Sequence, residues 1–374
     1  MRICHVIESS SGGSSQVVIG LLRAQLAGGD DVTLIYSPVR AEPPFLDAIA
    51  DLGPRLHRLE LPMQRNVGWR DLRAALALRS LLKRHGPFDI VHGHSSKAGA
   101  LLRLACAFLP GPAVVYTPHA FVTMAPDANR AYGVVEWLAS WFCDAVTVGS
   151  QQELDHARVL RLPESRLKLV PMGVDLAART DSAAARAELG LPPDGFVVGF
   201  IGRIVAQKNP DRLAKAFGIV AKRLPVAHFV VVGDGDLRDD FTAAMAANGL
   251  LDRVVIRPHP KARDIVCAFD VLVCASDYES FGLIFAEALA AGVPVVSPPV
   301  GVAEEAVGDG EAGRIAGFDA ASIAAGIAAV AALDETEKAQ MAKACIARAK
   351  RFDFAVTAAR FRALYDDLIP RAGR

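Results

Sequence analysis

The chain has 374 residues, enough for two domains, and 52% of them are hydrophobic against 22% charged, ample for sizeable cores. Its 41 basic and 41 acidic residues balance, which argues against a nucleic-acid binder. Six cysteines without Cys-x-x-Cys spacing argue against a disulfide framework or a cysteine metal centre and fit a reducing cytoplasm. Residue 1 leads straight into a strand with no signal-peptide pattern, and no apolar run reaches ~18 residues.

In chain order, residues 2–7 read as a strand, 16–27 as a helix, and the Gly12-Gly13 pair lies between them. Strand, glycine loop and helix form a layout that can cradle a phosphate, because glycine lets backbone N–H groups approach an anion. It is neither Gly-x-Gly-x-x-Gly nor a Walker loop, and a plain strand-to-helix turn has the same form. Residues 31–37 read as a second strand. Residues 69–85 read as a helix with Leu72, Leu76 and Leu82 on one side and Arg73, Arg79, Lys83 and Arg84 elsewhere. Residues 89–93 and 114–117 are strands, and the second ends at Pro118-His119, so His119 falls at the carboxyl end of a strand. On residue type alone a lone histidine is structural.

Between positions 55 and 103 stand ten Lys or Arg (Arg55, Arg58, Arg65, Arg70, Arg73, Arg79, Lys83, Arg84, Lys97, Arg103). Three acids interrupt them (Glu60, Asp71, Asp89), a local excess of seven. The run reads either as a solvated face or as a basic patch for anionic lipid headgroups. Trp137, Trp141 and Phe142, at i, i+4, i+5 spacing, read as core in preference to a membrane belt. Strands at 144–149 and 167–171 follow. The polar, Ala/Arg/Asp-rich stretch after Asp175 marks a domain boundary.

Downstream, a Val-rich strand at 196–201 ends in Gly202-Arg203, with Lys208 five residues on. Two cations at one strand end suit a diphosphate, since Arg engages two oxygens at once and Lys acts as a point charge. A strand at 228–232 closes on Gly233-Asp234-Gly235, and another spans 254–257. Residues 270–275 read as a buried parallel strand, from which Ser280 is expected to cap a helix starting near Phe281 and stopping at Gly292 and Pro294. Residues 295–297 start the next strand, and 323–331, 337–351 and 354–368 read as helices.

Glu279 then sits at a strand's carboxyl end beside a helix N-terminus, where open α/β sheets bind ligands. The N–H groups of Phe281, Gly282 and Leu283 can hold an anion there. Glu287 lies about two turns on, in a helix that is apolar nearly all round and leaves it little solvated face. A nucleotide sugar reconciles carboxylates with an anion site. Glu279 accepts from hexose hydroxyls, the helix end holds the diphosphate, and Glu287 takes the ribose diol. The competing reading is one capping and one solvated glutamate.

The stretch from Asp277 to Pro294 resembles the Glu-x7-Glu signature of retaining glycosyltransferases of the GT-B fold, family 4 type. With Gly12-Gly13, Pro118-His119, Met172 to Asp175 and Gly202-Arg203…Lys208, the resemblance covers nearly the whole chain. It implies an α/β protein of two Rossmann-like domains with parallel sheets facing across a cleft. These would be an acceptor domain (1–173), a linker (174–195), a nucleotide-sugar domain (196–352) and a C-terminal helix packing back on the first domain (353–374). The resemblance places His119, Arg203, Lys208 and Glu279 in the catalytic site. It assigns donor binding to Gly13, Arg203, Lys208, Glu279, Phe281, Gly282, Leu283 and Glu287.

Two departures stand out. Asn209 follows the lysine where glycine is usual, and Val300-Gly301 with Ala303-Glu304 replaces a Gly-Gly pair and Pro-Glu. The resemblance implies that the nucleotide base lies at the loop 258–261 and singles out no residue there. Neither a cofactor nor a metal is expected, and no Asp-x-Asp triplet suited to a metal–diphosphate complex stands out. The implied reaction is hexosyl transfer with retention, by front-side attack, from a UDP- or GDP-sugar. Ser95 to Gly99 and Tyr116 to Ala120 look like bacterial exopolysaccharide or lipid-linked oligosaccharide transferases, so the acceptor would be a glycan or a polyprenyl diphosphate. The setting would be cytoplasmic or peripheral at the inner face of the plasma membrane, on an anionic surface. A nucleotide-sugar epimerase, or a transferase with a small soluble acceptor, remains the alternative.

Overall fold

The computed structural model describes residues 1–10, 12–64, 68–107, 111–125, 127–176, 181–258, 262–308 and 310–372. The chain divides into two compact units, residues 1–173 with 354–374, and residues 174–353.

The first unit holds a seven-stranded sheet: β1 (Arg2–Ile7), β2 (Asp31–Tyr36), β3 (Leu56–Glu60), β4 (Ile90–His94), β5 (Ala113–Thr117), β6 (Ala145–Val148) and β7 (Leu167–Leu169). The order is β3-β2-β1-β4-β5-β6-β7 and every pairing is parallel. Parallel strands joined by helices are covered on both faces, which is why β4 and β5 are buried at every position. Ile3, Val6, Ile90 and Val115 are fully excluded from water, each worth roughly 1.5–3 kcal/mol of transfer free energy. Glycine sets the helix-to-sheet distance. A Cβ on Gly99 would lie 2.2 Å from the Tyr116 ring.

The helix Phe354–Ala372 belongs to this unit. Phe354 fills the space over Gly20, the Thr357 hydroxyl donates to Pro171 O at 2.9 Å, and Arg362 pairs with buried Asp30 at 3.0 Å. Edge strand β3, with the sequence Leu-His-Arg-Leu-Glu, was missed in the sequence because its polar residues interrupt any apolar run.

The second unit holds six parallel strands: β8 (Phe196–Ile201), β9 (Ala227–Val232), β10 (Val254–Arg257), β11 (Val271–Val273), β12 (Val295–Ser297) and β13 (Gly313–Ile315). Their order is β10-β9-β8-β11-β12-β13. Residues 181–195, within the stretch expected as a linker, carry the helix Ser182–Glu188. Its Arg186 binds Asp270 at 2.8 Å and the carbonyls of Ala268, Pro193 and Gly195, so this segment is built into the unit. Residues 177–180 of that linker and the loop residues 259–261 lie outside the described residues.

Each sheet reverses its winding once, between β1 and β4 in the first unit and between β8 and β11 in the second. Such a switch point opens a crevice at the carboxyl ends of the strands. The residues singled out in the sequence sit at the ends of these four strands and of β5.

Candidate active site

In the second unit, three loops converge at the switch point. After β8 the chain turns through Gly202 to Arg203, which is exposed, and a short 3-10 turn (Ala206–Lys208) presents Lys208. After β9, Gly233 and Gly235 press on that loop. A Cβ would meet Gly202 O at 1.9 Å from the first and Ile204 O at 2.3 Å from the second, so only glycine fits either place. After β11, Asp277 binds Asn209 and Arg212 (2.8 Å to Arg212) and its N–H donates to Gln207 O at 3.0 Å. These contacts stitch the two loops together.

Lys208 Nζ donates to Glu279 Oε1 at 2.5 Å, and the Ser276 hydroxyl donates to the same oxygen at 2.6 Å. Glu279 is buried and Ser276 fully so. Burial acts to lower the Lys208 pKa. The Glu279 charge, Cys274 and the Glu279 hydrogen bond together overcome it, so the ammonium is held above its usual value although the Arg203 charge opposes this. Arg203, Lys208 and Glu279 therefore form one cluster, and Lys208 is already half of an ion pair. Sequence reasoning gave the two residues separate tasks and did not pair them.

The helix expected from Phe281 starts two residues later, at Leu283, and runs to Ala290. Its N-cap is Gly282 at φ 89°, not Ser280, because a left-handed residue breaks the helical path at that point. Phe281 is buried, its carbonyl accepts from Val302 N–H at 3.0 Å, and Gly282 and Leu283 open the first turn, half-buried. Glu287 is half-buried one turn into the helix.

The two departures find physical accounts. Asn209 takes φ 48°, the left-handed region that asparagine tolerates, and its side chain accepts from Arg212 N–H at the start of helix Pro210–Arg223. Val300 is wholly buried, and the backbone demand falls on Gly301 alone. It sits at φ 56°, and a Cβ there would lie 2.3 Å from Phe281 O and 2.9 Å from Glu279 Cβ. Gly301, named in the sequence only as part of a departure, thus shapes the loop that carries Glu279. Asp234-Gly235-Asp236 has Asp-x-Asp spacing at the end of β9. Asp234 accepts from Gly235 N–H at 2.9 Å and lies 3.6 Å from Arg238.

In the first unit, the loop after β1 places Gly12 at φ 64° as the N-cap of helix Gly13–Ala27, so Gly13 opens the helix and Gly12 supplies the turn. His119 (φ 53°) and Ala120 (φ 82°) are both left-handed, a strained pair at the end of β5. Fully buried Glu153 holds them by accepting from Ala120 N–H at 2.8 Å and Gly149 N–H at 2.7 Å. Its sequence signal was Ser150-x-x-Glu153, the capping-box spacing at the start of helix Gln151–Val159.

His119 is not alone. Its Nε2 meets His94 Nδ1 at 3.1 Å, His94 Nε2 meets His5 Nδ1 at 2.9 Å, and His5 Nε2 meets Gln25 Oε1 at 2.8 Å. His92 joins Tyr365 (2.6 Å) and Thr117 (2.7 Å). His5, His92 and His94 are close enough to share a metal ion, but all six of their ring nitrogens have protein partners.

Two surface readings change. Arg103 is buried, 2.9 Å from Glu136 and 4.1 Å above the Tyr116 ring, and Glu136, outside residues 55–103, neutralises it. Lys97 pairs with Asp71, and Arg79 donates to the carbonyls of Ala105 and Ala107. Arg65 lies outside the described residues. The excess of seven overstates the surface charge. Conversely Trp137, Trp141 and Phe142, expected in the core, are 40%, 56% and 42% exposed, because helix Ala131–Ser140 turns most of its apolar side chains to solvent.

The geometry is that of a two-unit, doubly wound protein with a charged cluster at the second switch point. Comparison with known proteins places it. The family described as Glycosyltransferase Family 4 matches residues 11–178, and Glycosyl transferases group 1 matches residues 181–352. A D-inositol 3-phosphate glycosyltransferase of Thermobispora bispora is 32% identical over 322 residues, 77% of this chain and 73% of its own. Against two other curated relatives of that name the match spans 55% of their length.

A UDP-Gal:alpha-D-GlcNAc-diphosphoundecaprenol alpha-1,3-galactosyltransferase of Escherichia coli is 29% identical over 239 residues, 61% of this chain and 62% of its own. Among solved structures, Anabaena Alr3699/HepE in complex with UDP and glucose superposes with a TM-score of 0.83 at 20% identity, covering 98% of this chain and all of that one. The chain belongs to glycosyltransferase family 4, and its two Rossmann-like units are of the GT-B type.

Proposed function

We propose that the protein is a retaining hexosyltransferase. It takes its hexosyl group from a UDP- or GDP-sugar and delivers it to a glycan or polyprenyl-diphosphate acceptor in bacterial polysaccharide synthesis. The observation that carries this reading is the cluster of Arg203, Lys208 and Glu279 at the β8/β11 switch point, beside the N-terminus of helix Leu283–Ala290. Arg203, Lys208 and the first-turn N–H groups at Leu283 stabilise the negative charge that grows on the departing diphosphate. Glu279 keeps Lys208 charged and in place and accepts from a hexose hydroxyl. Glu287 takes the ribose diol.

The C1–O bond to the diphosphate breaks, the acceptor oxygen bonds C1 on the same face, and the acceptor proton passes to the leaving diphosphate. Those cations serve in place of a metal, and no other cofactor takes part. Gly13 approaches a phosphate or the acceptor, and His119 meets a sugar hydroxyl. The work takes place on the cytoplasmic side, at an anionic membrane surface. The diphosphoundecaprenol-linked substrate in the name of the Escherichia coli relative supports a lipid acceptor, and the UDP in the Anabaena complex supports the donor class.

The test is heat protection and calorimetry with UDP, GDP, UDP-glucose and GDP-mannose, followed by turnover with the donor found. Arg203→Ala and Lys208→Ala should each cut turnover by about 10²-fold. Near-normal turnover in the folded variants sinks the assignment, and an inverted product anomer sinks retention.

A further inference from the structure

In the first unit the rings of His5, His94 and His119 form a row between the Gln25 amide and a nitrogen, His119 Nδ1, that has no hydrogen-bond partner among the described residues. The row has a direction. An amide oxygen only accepts, so His5 Nε2, facing Gln25 Oε1, carries a hydrogen. His5 Nδ1 is then a lone pair and accepts from His94 Nε2–H. His94 Nδ1 in turn accepts from His119 Nε2–H, which leaves His119 Nδ1 as a bare acceptor.

The other side of the same amide agrees. Gln25 also bonds Tyr365, and with its nitrogen donating there, Tyr365 O–H donates to His92 Nδ1, His92 Nε2–H to Thr117, and Thr117 to Thr147. The Thr147 hydroxyl donates to Tyr116 O, which leaves its oxygen to accept from Thr117 and fixes this sense at the far end of the branch. The opposite amide orientation would put the hydrogen on Nδ1 of every ring in the row and make His119 a donor.

The rings are neutral near pH 7, because burial pushes His5 and His119 down to about 4 and His94 well below 6.5. The backbone adds its own constraint. His119 and Ala120 are pinned in the left-handed region by Glu153, so the ring cannot seek a partner by moving its chain.

We propose that Gln25, His5 and His94 are positioning residues that hold His119 as its Nε2–H tautomer and present Nδ1 as a fixed lone pair to a sugar hydroxyl. This rests on the reading above that His119 meets the sugar. A fixed acceptor orders a hydroxyl without exchanging a proton, so the row is an orienting device and not a general acid.

The test is nitrogen-15 NMR of the histidine-labelled protein, which assigns each ring's tautomer. Nε2–H with unprotonated Nδ1 at His5, His94 and His119 is the expected pattern, and Nδ1–H at His119 overturns the proposal. In His94→Phe the two His119 nitrogen signals should move to the averaged positions of a freely exchanging imidazole, and unchanged signals overturn it. Should that variant not fold, Gln25→Met breaks the row at its far end and the His5 signals are read the same way. UDP-glucose and GDP-mannose are then titrated against UDP and GDP. A shift of His119 Nδ1 with a sugar nucleotide but not with the free diphosphate supports the hydroxyl contact. If the tautomers are as expected but none of these ligands moves His119, the sugar-facing reading fails and the row stands.

Discussion

Lys208 and Glu279 each depend on the other, and this governs how variants at either position should be read. Their side chains are only 18% and 10% exposed, so removing the cation leaves a carboxylate that water screens poorly. Lys208→Ala should therefore lower stability as well as activity, by about 2 kcal/mol, below the 3–5 of a wholly buried pair. Lys208→Ala/Glu279→Gln should recover most of that stability, since neither charge remains, but none of the turnover. Thermal unfolding beside turnover separates the two effects, and a double variant as unstable as the single one means that the pair is not what holds the loop.

A second residue-scale prediction concerns the two glutamates. Glu287→Gln should weaken binding of the nucleoside diphosphate, whereas Glu279→Gln, whose amide oxygen can still accept from Lys208, should weaken binding of the nucleotide sugar more than that of the diphosphate. Equal loss of diphosphate affinity in calorimetry refutes this division.

At the scale of elements, the loops at the strand ends are held by backbone conformations that few residues accept. Gly301→Ala meets both a positive φ and the Phe281 carbonyl, so the Glu279 loop must shift while the buried strands behind it need not. The expected result is a folded protein with at least tenfold weaker donor binding. Normal affinity would show that Gly301 does not shape the site.

Helix Trp69–His85 is the element best suited to the membrane contact of the proposed function. Trp69, Leu72 and Leu76 are 65%, 59% and 60% exposed. Arg70 and Arg73 lie over the Trp69 ring, and Lys83 and Arg84 are exposed. Apolar residues flanked by cations suit an interfacial helix, each cation adding about 1 kcal/mol near an anionic surface and less as salt rises. Among the described residues no helix is long and apolar enough to cross a membrane. The protein should sediment with anionic vesicles at low salt and not with neutral ones. Changing Arg70, Arg73, Lys83 and Arg84 to Glu should abolish this without touching donor binding. Arg79 is left alone because it ties down the Ala105 and Ala107 carbonyls. Failure of the unmodified protein to bind anionic vesicles favours a soluble acceptor.

At the scale of the whole molecule, the buried histidines make folding sensitive to acid. Their folded-state pKa values lie below the usual 6.5, so the unfolded chain takes up protons that the folded chain refuses. Stability should be complete above about pH 6.5 and should fall as the pH drops below that value toward the lowered folded-state values. The slope is roughly 1 kcal/mol per pH unit for each histidine. His5→Gln, by removing one of these groups, should flatten it; a melting temperature constant from pH 7 to 5 excludes the effect.

The sequence alone determined what is local. Val-rich runs marked β8 and β10 to the residue, and the 69–85 stretch marked its helix but not its buried face, which is Ala75, Leu78 and Leu82 while Leu72 and Leu76 are exposed; charge at strand ends marked Arg203, Lys208 and Glu279, because propensity acts over a few neighbouring residues. Only the tertiary structure decided which of these meet. Lys208 and Glu279 are 71 positions apart, His5 and His94 are 89 apart, and Arg103 finds Glu136 across 33. Such pairs follow from the order in which parallel strands align, a choice made by packing whole strands and helices together. No short window of sequence contains that order, so the chain displays the charged residues of its candidate site while the pairing among them is set by the fold.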